Sequence, residues 1–284
     1  MKYTRMFLLL LLIFCFSGKL YPQKFALSKA FTPVLNTSDF RSVFGGADGK
    51  SVKLDKRGLI GEMEFIAFPG TVFEILENIS NIDYSIYKVK SDDYQYNGNF
   101  YIDGRFVEIY EMRPLERKVQ QLSKKEITDN LLALLNYPYM WGGNYAYGIY
   151  EMLDYYKPSD EIETDTKNLW ILKGVDCSGL IYQASGGATP RNTSSLIDFG
   201  EFVPIAGKSA EEIAAMVEPL DLIVIKGHVV IALDNKNSIE SSPGTGVHKT
   251  DLINRLNGIM KTKKPVNDWN DTKGERFVIR RWIK

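Results

Sequence analysis

Apolar residues are distributed along the chain in several distinct ways. Met6 to Phe16 form 11 unbroken apolar residues behind Lys2 and Arg5. A membrane-crossing helix needs about 20, so the run is too short to span and has the length of a signal-peptide core. Ser17 and Gly18 supply small residues after it, which predicts an export signal over 1–17, cleaved after Ser17. From 61 to 110 short β-branched and aromatic runs take over: Thr71–Leu76, Tyr84–Val89, Phe100–Ile102 and Arg105–Ile109. Turn signals at Pro69-Gly70, Asn97-Gly98 and Asp103-Gly104 separate them, and this spacing predicts a small all-β barrel over 61–116. Residues 18–60, with breakers at Gly45-Gly46 and Asp48-Gly49, read as a loosely ordered lead-in with room for a short helix.

Beyond 117 the period changes. Ile127, Leu131, Leu134 and Leu135 recur at helical spacing behind Ser123-Lys124-Lys125-Glu126, a capping box in which Ser and Glu satisfy each other's free backbone donors. An amphipathic helix is predicted over 124–136, stopped at Asn136-Tyr137-Pro138. Residues 150–170 are polar and acidic, with Lys157-Pro158 in the middle, and read as an inserted loop that is either a solvated excursion or a lid or wall of a cleft. Runs over 220–225, 228–233 and 238–241 read as successive strands, with turns at Lys226-Gly227 and Asp234–Asn237. The fold class is therefore α+β over 117–284, behind the small barrel.

Composition narrows the function. The chain has 284 residues, 44% apolar and 25% charged, which excludes wholesale disorder and a multi-span membrane protein. Its 35 basic and 35 acidic residues leave no global field to recruit nucleic acid. Loss of Lys2 and Arg5 with the signal would leave 33 basic residues against 35 acidic ones. Two Cys and two His are too few for a zinc site of the usual ligand set, so no metal or other cofactor is expected. Cys15 would leave with the signal, and Cys177 would be a lone thiol without a disulfide partner in an exported protein. Either it is a buried structural Cys or it has a task.

The surroundings of Cys177 point to a task. Gly174-Val175-Asp176-Cys177-Ser178-Gly179-Leu180-Ile181 leads into a helix-like stretch ending at Gly186-Gly187, so Cys177 falls at a helix N-terminus. Free N–H groups and the positive end of the dipole favour a thiolate there. His228 opens the strand that follows Gly227, 51 residues away, so the two must meet through the fold. Glu240 lies 12 residues beyond His228 in the neighbouring strand and is placed to hold the second imidazole nitrogen. Nucleophile, base and orienter are then all present, the logic of a covalent triad. His248, behind Pro243-Gly244-Thr245-Gly246, is the other candidate base, and a structural role for His228 stays open at this point.

The set Pro138-Tyr139-Met140-Trp141-Gly142-Gly143, Val175-Asp176-Cys177-Ser178-Gly179-Leu180, Pro190-Arg191, Pro219-Leu220-Asp221-Leu222-Ile223 and Gly227-His228-Val229-Val230-Ile231 resembles the NlpC family of papain-like cell-wall cysteine peptidases. The match covers about 124–245 in the family's order, and the strand-rich 61–110 segment resembles the bacterial SH3-type barrel that often precedes such domains. The resemblance implies helices packed on an antiparallel sheet, with Cys177 as nucleophile and His228 as base. Glu240 falls where the family more often has His, Asn or Gln. A carboxylate there would stabilise an imidazolium more strongly than an amide.

Further roles follow from the same resemblance. The Cys177 N–H and the Tyr139 hydroxyl would form an oxyanion hole, with Trp141 supporting the site, unless both rings are core aromatics. Asp176 would bind the free amino group of a peptide that begins with L-Ala, unless it only caps the helix. Ser178, Arg191 and, from the barrel, Tyr94 and Glu64 would line the substrate pocket, with internal pairing the alternative for Arg191. The implied partner is a murein peptide, cut after γ-D-Glu, in the periplasm or outside the cell. No nucleic acid and, after signal cleavage, no membrane is implied. Lys261–Lys264 and Arg280-Arg281 read as a solvated face that an anionic wall polymer could use. The alternatives are a muramoyl-L-alanine amidase or an acyltransferase on the same fold, or a catalytically inactive wall-binding protein.

Overall fold

A computed structural model describes residues 24–80, 83–94, 96 and 98–283; the predicted signal over 1–17 lies outside them. The protein is a mixed α and β structure built on two antiparallel sheets. The first holds β1 (Lys24–Ser28), β2 (Thr32–Leu35), β3 (Met63–Ala67), β4 (Val72–Ser80), β5 (Ser85–Ser91), β6 (Phe100–Asp103) and β7 (Val107–Tyr110). Its order is β3-β2-β6-β5-β4-β1-β7, and among the described residues no pairing joins β3 to β7, so the expected barrel is an open sheet here. The lead-in expected over 18–60 contributes two of these strands. β1 pairs with both β4 and β7, and β2 pairs with both β3 and β6. The sequence hid them because Lys24–Ser28 and Thr32–Leu35 are short and Pro33 demotes the second run.

In the second half, α1 (Lys124–Ala133) begins with the predicted Ser123/Glu126 capping box and ends ahead of Asn136, which takes a left-handed conformation at φ 67°. The helix α2 (Cys177–Ala184) follows, then β8 (Leu222–Ile225), β9 (His228–Ala232), β10 (Asn237–Ser242), β11 (Gly246–Asp251), α3 (Leu252–Met260) and β12 (Arg276–Arg281). The sheet runs Glu201–Phe202, β12, β8, β9, β10, β11. Its central runs are apolar without a break because both faces are buried. Leu222, Val224, Val229 and Ile231 join a core with α1 and α2, while Ile223, Val230 and Ala232 join another with α3. Among the described residues no helix is long and apolar enough to cross a membrane.

The segment over 150–170 is not the polar loop its composition predicts. It forms two short helices, Glu151–Tyr155 and Thr164–Trp170, whose Met152 and Trp170 are fully buried in the core of the first sheet. Tyr156 donates a hydrogen bond to Asp103 at 2.5 Å, and Trp170 Nε1 donates to the Tyr156 carbonyl at 2.9 Å. A few large side chains spaced among many charges anchor the segment, and average polarity conceals them. It therefore ties the second half of the chain to the first sheet, and it does not line the cleft that holds Cys177.

Asn144 makes the same connection at the level of single atoms. Its Oδ1 accepts the Ile66 N–H and its Nδ2 donates to the Ile66 carbonyl, both at 2.8 Å, so the amide continues the β3 ladder like another strand residue. The same Oδ1 accepts from Arg191 Nε at 3.0 Å. Replacing Asn144 by Ala would leave these buried partners unpaired. A loss of about 3 kcal/mol in unfolding free energy is expected by urea titration. A loss under about 0.5 kcal/mol, the range of an ordinary surface change, would contradict the role given to this amide.

Candidate active site

The turn at Gly142-Gly143 and the strand pair Asn144–Tyr145 with Gly174–Val175 bring the aromatic-Gly block against the start of α2. Asp176 is the N-cap: its Oδ1 accepts the Gly179 N–H at 2.7 Å, which leaves Cys177 as the first helical residue. Gly179 is required by packing, since a Cβ there would collide with the Gly143 carbonyl and crowd the Asn144 Cα. The helix thus seats its first turn directly on the backbone of the Gly-Gly turn. A positive φ of 70° at Gly142 lets that turn double back under it.

Cys177 is buried and makes no disulfide among the described residues. His228 opens β9, and Cys177 lies close enough on one side to raise its ring. On the other, its Nε2 lies 2.6 Å from Glu240 Oε2. The ladder pairs Ile231 with Ile239, a register that sets Glu240 diagonal to His228 on the adjacent strand, within reach of a long side chain. Glu240 is in turn held by Arg255 of α3, whose Nε meets Oε1 at 2.6 Å and whose Nη2 meets Oε2 at 2.9 Å. Burial works to lower His228, but hydrogen bonds and charges from Cys177 and Glu240 outweigh it and push it up to about 9. Burial works to raise Glu240, yet hydrogen bonds from His228 and Arg255 hold it down at about 2. The ring therefore keeps its proton at neutral pH, between Cys177 and an anionic carboxylate. His248 sits opposite Glu240 in the β10–β11 ladder, with its Nδ1 2.9 Å from the Gly246 carbonyl oxygen. The imidazole against Cys177 is His228.

A cleft of about 130 Å³ opens over Cys177. Tyr139, Trp141, Asp176, Ser178 and Arg191 line it from the second half of the chain, and Glu64 and Tyr94 line it from the first sheet. Eight of the residues singled out in the sequence thus line the cleft, with His228 and Glu240 behind Cys177 and His248 outside the lining. Their engagements differ. Asp176 and Arg191 form a buried pair, with Nη2 to Oδ2 at 2.8 Å and Nη1 to Oδ1 at 3.1 Å. Arg191 also donates to Ser178 Oγ at 3.1 Å and to the Gly143 carbonyl at 3.2 Å, so its guanidinium is spent inside the protein. Ser178 Oγ also donates to Asp176 Oδ1 at 3.1 Å.

Glu64 is half-buried in β3 and accepts a hydrogen bond from Asn36 Nδ2 at 2.9 Å. Burial raises its carboxyl, opposed by that bond and by the charge of Arg191. Tyr94 is pushed up to about 12, chiefly by burial. Tyr139 is raised further, by burial and then by Asp176 and Cys177, so its hydroxyl keeps its proton and can donate. Trp141 lies at the rim, with the Arg57 guanidinium 4.9 Å above its ring.

No protein-family model and no curated protein matches the chain. Solved structures do. An NlpC/P60 family protein from Bacillus cereus is 16% identical over 93% of this chain and 64% of its own, with a TM-score of 0.36. RipB of Mycobacterium tuberculosis, described as a peptidoglycan hydrolase, is 22% identical over 57% and 65%, with a TM-score of 0.35. A Staphylococcus aureus protein described as similar to a lipoprotein of the NLP/P60 family is 19% identical over 48% and 39%, with a TM-score of 0.28. The chain is similar to NlpC/P60 family proteins. It spans less than two thirds of the length of each of these three structures. The site stands on its own geometry.

Two features carry no signal in the sequence: Arg255, because no helix is predicted over 252–260, and Asn144, because a lone amide after Gly142-Gly143 forms no pattern. One further expectation is corrected: Arg280-Arg281 is not a solvated face. Arg280 is buried and donates to the Ile197 carbonyl, and Arg281 Nη2 pairs with the buried Asp221 at 2.7 Å. Neither is free to hold a polymer.

The Asp176–Arg191 pair yields a stability prediction. Asp176→Ala removes the α2 cap and leaves a buried guanidinium without its carboxylate, which should cost about 3–5 kcal/mol. Denaturant unfolding measures it. An unchanged midpoint would mean that Asp176 is not structural and is held for substrate alone.

Proposed function

We propose that the protein is an exported cysteine hydrolase that cuts murein peptides at the γ-D-glutamyl–diamino acid bond. The observation that carries the reading is Cys177 in the cleft with His228 behind it and Glu240 2.6 Å from the far ring nitrogen. In this reading the signal over 1–17 directs export, 117–284 is the catalytic domain, and the first sheet serves as an SH3-type wall that restricts the substrate.

The Cys177 thiolate attacks the γ-carbonyl carbon of D-Glu. The oxyanion is met by the Cys177 N–H and the Tyr139 hydroxyl, each donor worth on the order of 3 kcal/mol when well placed. The His228 imidazolium gives its proton to the leaving amine, the C–N bond breaks, and a thioester remains. Neutral His228 then takes a proton from water, the hydroxide displaces sulfur, and the free carboxylate leaves. Glu240 holds the ring in one orientation through both halves of the cycle.

The pocket chemistry favours a peptide with a free amino terminus. An ammonium in a partly desolvated cleft needs a carboxylate partner. The Asp176 charge is already shared with Arg191, which makes Glu64 the carboxylate with charge to give. Tyr94 adds its hydroxyl beside it.

The test is a paired digestion. The chain from 18 to 284, with Cys177→Ala as control, is given L-Ala-γ-D-Glu-diaminopimelate and the same peptide linked to muramic acid. Cleavage of the free peptide after γ-D-Glu is expected, absent in the control. Glu64→Gln should raise KM for the free peptide at least tenfold, the size of one lost hydrogen bond to a charged group. Cleavage of the muramoyl–L-Ala bond would replace this reading by an amidase, and no cleavage of either would favour a wall-binding protein.

A further inference from the structure

His228 changes its charge during any cycle in which it donates and accepts a proton, but Glu240 behind it cannot move into water. The Glu240 side chain is 3% exposed. A buried carboxylate facing only a ring that becomes neutral would take up a proton itself, and its value as an orienter would be lost. Arg255 removes this difficulty. Its guanidinium keeps its charge throughout, and its Nε and Nη2 meet the two carboxylate oxygens separately, at 2.6 and 2.9 Å.

The fold aims this fork. Asp251 caps α3 by accepting the Asn254 N–H at 2.8 Å, and Leu252, Leu256 and Ile259 bury one face of the helix against the sheet. Arg255, next to that buried face, then reaches Glu240 on β10. Both carboxylate oxygens are fixed, and with them the single position from which Oε2 can meet the imidazole.

We propose that Arg255 is a positioning residue that clamps Glu240 and sets the orientation and the charge of the His228 imidazole. The inference rests on the catalytic reading above, since it assigns a part in that machinery. The titratable and charged groups around the pair are Cys177 on the cleft side of His228, Arg255 of α3 on Glu240, and His248 of β11 opposite Glu240 in the ladder. Among the described residues Arg255 is the cation in direct contact with Glu240 apart from the imidazolium itself.

The experiment measures the rate at which iodoacetamide alkylates Cys177, the one thiol of the 18–284 chain, across pH. This readout needs no substrate, so it answers even if the murein reading fails. Removing the Arg255 cation leaves the whole Glu240 charge to the imidazolium. In Arg255→Met the alkaline break of the profile should therefore move up by at least half a pH unit. Arg255→Lys should restore much of the wild-type profile. Where the wild type hydrolyses peptide, Arg255→Met should lower kcat at least tenfold with KM unchanged. In a Glu240→Gln background the same substitution should shift nothing, because the partner it acts through is gone. A thermal melt of each variant confirms that it is folded. A folded Arg255→Met with the wild-type profile, or a shift of equal size in the Glu240→Gln background, would overturn the proposal.

Discussion

The site depends on keeping one buried carboxylate charged. Glu240 sits between a ring nitrogen at 2.6 Å and a guanidinium at 2.6 and 2.9 Å, deep in a strand of the second sheet. Burial alone would neutralise it. Two cations reverse that balance, and an anionic Glu240 in turn favours an imidazolium at His228, beside Cys177. The α3 helix, which touches no part of the cleft, belongs to this chain of effects because it carries Arg255.

A second buried network sets the shape of the cleft. Arg191 joins Asp176, Ser178, Asn144 and the Gly143 carbonyl, and Asn144 completes the edge of β3 in the first sheet. The helix cap, the Gly-Gly turn and the strand carrying Glu64 are thereby locked to one another. A wall built from the first sheet can face Cys177 at a fixed distance only because this polar seam leaves few of its donors and acceptors unmet. The buried helices over 150–170 brace the same junction from the apolar side.

Much of this was legible in the residues. The Ser123/Glu126 box, the strands around His228 and the helix start at Asp176-Cys177 are local signals, and local physics decides them. The diagonal between His228 and Glu240 was readable because a hairpin register fixes it. What stayed hidden was non-local. Thr32–Leu35 pairs with residues far along the chain, and nothing in four residues announces that. Met152 and Trp170 are core residues inside an acidic stretch, where averaging erases them. Arg255 looks like any helix surface residue until the sheet brings Glu240 to it. Arg280 and Arg281 look solvated until Asp221 and the Ile197 carbonyl are found beside them.

The account turns on the protonation of His228. The chain contains two histidines, so an imidazole NMR titration of the intact protein resolves into two curves, separated by a His248→Gln variant. The His228 signal should stay that of an imidazolium through neutrality and titrate at about 9. Its folded-state value is raised, so its stabilising contribution is complete below about pH 6.5 and fades as the pH climbs through 9. A His228 curve centred at or below 6.5 would mean that Glu240 and Cys177 do not hold the proton, and the charge relay at the centre of this account would not exist.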